Sequence, residues 1–118
     1  MPEEPRKLLV NFFATDTGDE PVRAWLQGLD SKSRWRIGKD IQKVQYGWPI
    51  GFPVCRPLGD GLLEVRSDLR DGRTARVLFM FVEETMVVLH GFIKKTQKTP
   101  PQDRALAMKR LRSVRKNS

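Results

Sequence analysis

Apolar and polar residues recur along this chain with a period that switches between that of a helix and that of a strand. Leu8–Phe13 (LLVNFF) is a short apolar run too brief for a helix, and it predicts a strand. Asp19 and Pro21 then open a helix, in which Val22, Trp25, Leu26 and Leu29 fall at i, i+3, i+4 and i+7 on one apolar face. Ser31 starts a second helix, with Ile37, Ile41, Val44 and Trp48 at helical spacing. Gly38 weakens it by about 1 kcal/mol relative to alanine, and Gly47 with Pro49 ends it. The two segments predict a helical hairpin with one face to bury.

The stretch Gly47–Gly61 is rich in glycine and proline and reads as a loop. Leu62–Arg66 predicts a strand with Leu63 and Val65 on one face. Asp71-Gly72 is a turn signal, and Thr74–Val82 and Met86–Ile93 are two apolar runs flanking Glu83-Glu84. Together they predict an antiparallel meander. A two-residue turn at Glu83-Glu84, the favoured reading, pairs Arg76 with Gly91 and sets Arg76 and His90 on opposite faces of the sheet, whereas one extra turn residue would put them together. At the end, Thr99 as N-cap, Pro100 at N1 and Gln102 at N3 give a capping-box pattern. Ala107, Met108, Leu111 and Val114 form that helix's apolar stripe. The predicted order is β-α-α-β-β-β-α in a single domain over residues 1–118. This is an α+β fold, a helical hairpin packed on a mainly antiparallel four-stranded sheet with a C-terminal helix leaning on it.

Charge changes this picture more than bulk composition does. The net charge is +8, yet residues 1–92 are formally neutral, with 13 basic and 13 acidic residues. Residues 93–118 carry nine basic residues against Asp103 alone. Such an asymmetry points to a polyanion or an acidic protein partner, with a solvated helix face as the plainer alternative. The longest apolar run, Val77–Val82, falls far short of the ~20 residues of a membrane span. The polar start, Met1-Pro2-Glu3-Glu4, does not read as a signal peptide. One cysteine forms no internal disulfide. The expectation is a small basic domain of the cytoplasm with no membrane role.

Several chemistries are excluded by their missing motifs: no phosphate-binding GxxxxGK[ST], no GxGxxG after a strand, no GxSxG elbow. A lone His90 and a lone Cys55 build no zinc site, so neither a metal nor a cofactor is expected, and Cys55 in its proline-rich surroundings reads as a passive thiol. Basic residues placed in strands remain. Arg66, Arg73, Arg76, Lys94 and Lys95 crowd three adjacent predicted strand ends, a combination suited to clamping phosphate. The structural alternative for Arg76 is an ion pair with Glu64 across the sheet. RNA cleavage by the 2′-hydroxyl needs that hydroxyl deprotonated, the phosphorane's charge stabilised and the 5′-oxygen protonated. Arginine supplies the second step electrostatically, and a lysine crowded by like charges can trade protons. His90 could trade them too, although a lone histidine in an apolar strand also reads as a core residue.

Three runs carry a resemblance: GDGLLEVR at 59–66, RVLFMF at 76–81 and LHGFIKKTQKTP at 89–100. They resemble the phage-derived, HigB-like branch of the RelE/ParE toxin superfamily, over about residues 20–115. The resemblance implies a compact toxin of a type II toxin–antitoxin system, an endoribonuclease that cuts mRNA on the ribosome. It also implies neutralisation by a cognate antitoxin, often a helix-turn-helix protein. By position, Arg66 matches the basic residue on the second strand of RelE-type toxins, and Arg76 their third-strand arginine at the scissile phosphate. Lys94 and Lys95 match the basic end of the fourth strand. These four are the implied catalytic set, with Arg73, His90 and Lys98 as further substrate contacts. The chain departs from the pattern in lacking the late tyrosine that stacks a base, since Tyr46 is its only tyrosine. Glu64 also stands where RelE carries another lysine. Two other readings share these features: a ParE-like poison of DNA gyrase, and a non-catalytic basic module for nucleic acid.

Overall fold

The structure is a computed structural model that describes residues 8–49, 54–94 and 99–117. Its elements run β1 (Leu9–Phe12), α1 (Pro21–Gln27), α2 (Ser31–Gly47), β2 (Cys55–Gly59), β3 (Leu62–Asp68), β4 (Thr74–Val82), β5 (Thr85–Lys94) and α3 (Pro101–Lys116). The five strands form one sheet in the order β1-β5-β4-β3-β2, with β1 parallel to β5 and the other neighbours antiparallel.

The helical hairpin packs as its periodicity predicts. Val22 of α1 and Ile37, Ile41 and Val44 of α2 are buried against Val65, Ala75, Val77, Phe79, Met86 and Val88 on one face of the sheet. Asp30 caps α2 by accepting from the Ser33 amide at 3.1 Å. Trp25 lies so close over β5 that a Cβ on Gly91 would collide with its ring, so a glycine is required there. On the opposite face α3 lays Ala107, Met108 and Leu111 onto Leu62, Leu78, Met80, Val87 and Leu89. The sheet is thus covered on both sides, by two apolar layers of different origin.

Three expectations are corrected. The stretch read as a loop contains β2, which pairs with β3 and makes the sheet five-stranded rather than four-stranded. Pro57 and Gly59 hide it, and they are tolerated because β2 is an edge strand. Its hairpin turns at Asp60-Gly61, both at positive φ (58° and 87°), the conformation an Asp-Gly pair favours. The second correction is at the start of α3. The N-cap is Pro100, with no side-chain cap, and Pro101 holds the first turn. Thr99 instead donates its hydroxyl to Glu64 Oε2 at 2.6 Å.

The third correction concerns register. Glu83-Glu84 does make a two-residue turn, with Val82 opposite Thr85 and Phe79 opposite Val88. The register then shifts, and Leu78 faces His90. Leu89 is the extra residue of a β-bulge. Beyond it Arg76 pairs with Phe92, not with Gly91. Val87 and Leu89 face α3 before the shift and Phe92 after it. Arg76 and His90 therefore share the α3 face of the sheet. A bulge interrupts the ladder of hydrogen bonds, and here Arg110 of α3 donates Nη1 to the Leu89 carbonyl at 2.8 Å. The same guanidinium lies 5.4 Å over the Phe13 ring, and its burial lowers its pKa from the ordinary arginine value.

Candidate functional site

β3 alternates Leu63 and Val65 toward the helical hairpin with Glu64 and Arg66 toward α3. The apolar stripe of α3 covers the part of that face near the Glu83-Glu84 turn. Toward the open end of the β4–β5 hairpin the same face becomes polar. One row across the sheet holds His90, Leu78, Glu64 and Arg56, and the next holds Phe92, Arg76 and Arg66.

Glu64 lies at the centre, with its side chain 1% exposed. Its Oε1 accepts from Arg76 Nη1 at 2.8 Å and from Arg56 Nε at 3.1 Å, and its Oε2 accepts from Thr99. Arg76 is buried, at 2% exposure, so the ion pair weighed as its structural alternative is present. Two guanidiniums meet one carboxylate here, which leaves the cluster net positive. Arg66 pairs directly opposite Arg76 and is 28% exposed, with Nε 3.4 Å from Asp68 Oδ1. Lys94 closes β5 opposite Thr74 and is half-buried. Lys95 and Lys98 lie outside the described residues.

Arg73 does not join this cluster. It precedes β4 on the other side of the sheet, where it lines a cleft with the start of α2. The proximity expected from sequence, three strand ends with one set of cations, is thus divided between two faces.

His90 finds a partner that the sequence reading did not assign. Its Nε2 lies 2.6 Å from Oδ1 of Asp103 in the first turn of α3, with both side chains partly exposed. The ring stacks on Phe92, with centroids 5.7 Å apart and planes 28° from parallel. A carboxylate on one imidazole nitrogen fixes the ring's orientation and leaves Nδ1 for proton exchange. The available signal was Asp103 itself, the one acidic residue of a basic tail. That tail is partly structural. Arg104 donates to the Leu58 carbonyl at 2.9 Å, Arg110 to that of Leu89, and Arg115 to that of Asp60 at 3.0 Å, so three of its cations strap α3 to the sheet.

Chemically, the arrangement offers an oriented imidazole beside a cationic row, which fits a phosphodiester. Among the described residues, no three His, Cys, Asp or Glu side chains are grouped to hold a metal. Cys55 is buried among apolar side chains under α2, on the face away from this cluster. Burial, with the Glu64 charge added, pushes its thiol up to about 11.

Residues 24–112 match the family described as "Phage derived protein Gp49-like (DUF891)". The matched stretch runs from α1 into α3 and includes Glu64, Arg66, Arg76, His90 and Asp103. No curated protein matches the chain.

Proposed function

The chain belongs to the phage-derived Gp49-like family, a family of toxin–antitoxin toxins related to RelE-like toxins, and from that premise we propose that it is a ribosome-dependent mRNA endoribonuclease. The observation that carries the reading is the His90–Asp103 pair on the same sheet face as Arg66, Arg76 and Lys94. His90 takes the proton of a 2′-hydroxyl, and the O2′ attacks the adjacent phosphorus. The P–O5′ bond breaks as O5′ takes a proton from water, leaving a 2′,3′-cyclic phosphate and a 5′-hydroxyl end. Arg66 and Lys94, at the rim, meet the phosphate, with Lys95 and Lys98 of the following segment as further contacts. Arg76, beneath them, adds positive potential and holds Glu64 in place. Fixed cations of this kind act on the charge that develops in the phosphorane.

The family implies an antitoxin partner, and the reading extends this to a helix-turn-helix antitoxin encoded with the toxin. No helix among the described residues is long and apolar enough to cross a membrane. Action on ribosomes would place the protein in the cytoplasm as a single domain.

Primer extension of cellular mRNA after brief induction tests the proposal. New 5′ ends within translated regions are expected, and they should vanish with His90→Asn. Intact mRNA in arrested cells, with DNA damage in its place, would transfer the chain to the gyrase-poison reading.

A further inference from the structure

A cleft of about 770 Å³ lies on the face of the sheet away from His90. Its walls are the first turns of α2 and the short turn between β3 and β4. That volume is within the range of small-ligand sites, roughly 300–1,000 Å³. Lys32, Arg36, Arg70 and Arg73 line it, together with Asp30 and Asp68.

The carboxylates of those two aspartates are already engaged. Asp30 accepts from the Ser33 amide, and Asp68 pairs with Arg66. Arg36 is engaged as well, with Asp40 at 3.3 Å. Among the described side chains, Lys32, Arg70 and Arg73 have no carboxylate within ion-pair distance. Beside them stands Trp35, 62% exposed at the cleft wall, with Lys39 Nζ 5.5 Å from its ring centroid. An indole this exposed gains little for the fold, since its apolar area stays in water. Flanked by cations, it suits a nucleobase, which stacks on aromatic rings whatever its identity.

We propose that this cleft binds single-stranded RNA, with one base on Trp35 and backbone phosphates on Lys32, Arg70 and Arg73. The inference rests on the nuclease reading for its substrate class and adds a second contact region to it. Asp68 lines the cleft while its carboxylate touches Arg66 of the opposite face. The two regions therefore meet at the open end of the sheet. A strand held in the cleft would pass around that end toward Arg66 and Lys94. An acidic peptide would satisfy the cations but would leave the indole without a stacking partner, so RNA is favoured.

The test uses the full chain and a fluorescein-labelled ten-nucleotide RNA, 2′-O-methylated so that it cannot be cleaved. Anisotropy is read across a salt series. Trp35→Ala should raise Kd about tenfold or more while leaving the salt slope unchanged, since stacking releases no counterions. Arg70→Gln with Arg73→Gln should flatten the log–log salt slope by roughly 1.4, the value for two phosphates of a single strand. An abasic strand of equal length should bind wild type and Trp35→Ala alike. Trp35 is exposed, so the variant is expected to melt like wild type, and circular dichroism checks this. Unchanged affinity and slope in these variants overturn the proposal, as does a decaglutamate peptide that binds the cleft when the RNA does not. Because the probe cannot be cut, the outcomes separate. Binding that follows these variants without mRNA cleavage in cells would sink the nuclease reading alone. Cleavage with unaltered binding in the variants would sink the cleft alone.

Discussion

Arg76 and Glu64 sit diagonally on neighbouring strands, and Arg76 Nη1 lies 2.8 Å from Glu64 Oε1 with both side chains almost wholly buried. Breaking such a pair by removing one partner costs about 3–5 kcal/mol, because the other charge is left without compensation. Glu64→Leu should be the more damaging change, since it takes the carboxylate from Arg76, Arg56 and the Thr99 hydroxyl at once. Arg76→Met should cost less, because Glu64 retains Arg56 and Thr99. The double variant should be more stable than Glu64→Leu alone. Urea unfolding of the three variants checks the order. Equal losses for the two single changes would show that Arg56 and Thr99 do not support Glu64.

Asp103 orients His90 without touching substrate in the proposed reaction. Asp103→Asn should lower single-turnover cleavage about 10–100-fold, the usual effect of losing an orienting partner. His90→Asn should lower it by about 10²–10⁴. Both variants should melt close to wild type, because the pair is partly exposed. Full cleavage by His90→Asn would leave the pair a purely structural contact.

The Leu89 bulge depends on a residue in another element. Arg110→Met keeps the apolar stem over Phe13 but leaves the Leu89 carbonyl without its donor. A loss of about 1.5–3 kcal/mol is expected, as for hydrogen bonds involving a charged group. Faster amide exchange should be confined at first to the segment around Leu89, read by hydrogen exchange. Exchange rising evenly over the whole sheet would argue against a local role.

The Cys55 thiol supplies a pH dependence with a definite sign. Its pKa is raised to about 11 in the fold, from an ordinary value of 9.0, chiefly by burial. The folded state thus favours the neutral thiol. Its contribution is complete below pH 9 and is lost as the pH rises toward 11. Wild type should lose stability over that window faster than Cys55→Ala, measured by urea midpoints. At pH 8 the native thiol should also resist iodoacetamide until the chain is unfolded. Prompt alkylation of native protein would contradict the burial.

Much of this architecture is legible in the residues themselves. The 3.6-residue recurrence of Ile37, Ile41 and Val44, and of Ala107, Met108 and Leu111, correctly marks the buried faces of α2 and α3. β2 is less legible because Pro57 and Gly59 argue locally against a strand, while an edge position removes the penalty. Asp60-Gly61 was the sign that a hairpin lay there. The bulge leaves no compositional mark, since Leu89 suits the apolar strand either way. What stabilises it is Arg110, 21 residues downstream, and no local pattern conveys that. The site inherits the same difficulty. Cationic residues can be counted along the chain, but their division between two faces depends on parity. Arg73 thereby goes to the cleft, and His90 to Arg76's side.

Leu89 makes the order of residues and their placement in space two separate counts. In a chain with the same Glu83-Glu84 turn but an uninterrupted β5, position 90 would face Val77 and the helical hairpin. Its imidazole would be out of reach of Asp103. Two proteins could thus carry identical histidines in identical neighbouring sequence and differ by a half-turn of the strand in what those histidines can touch. Ancestry traced by matching letters would pair them, while chemistry would not. The useful character for tracing this site through descent is therefore the presence of an inserted position together with an arginine able to donate to its carbonyl.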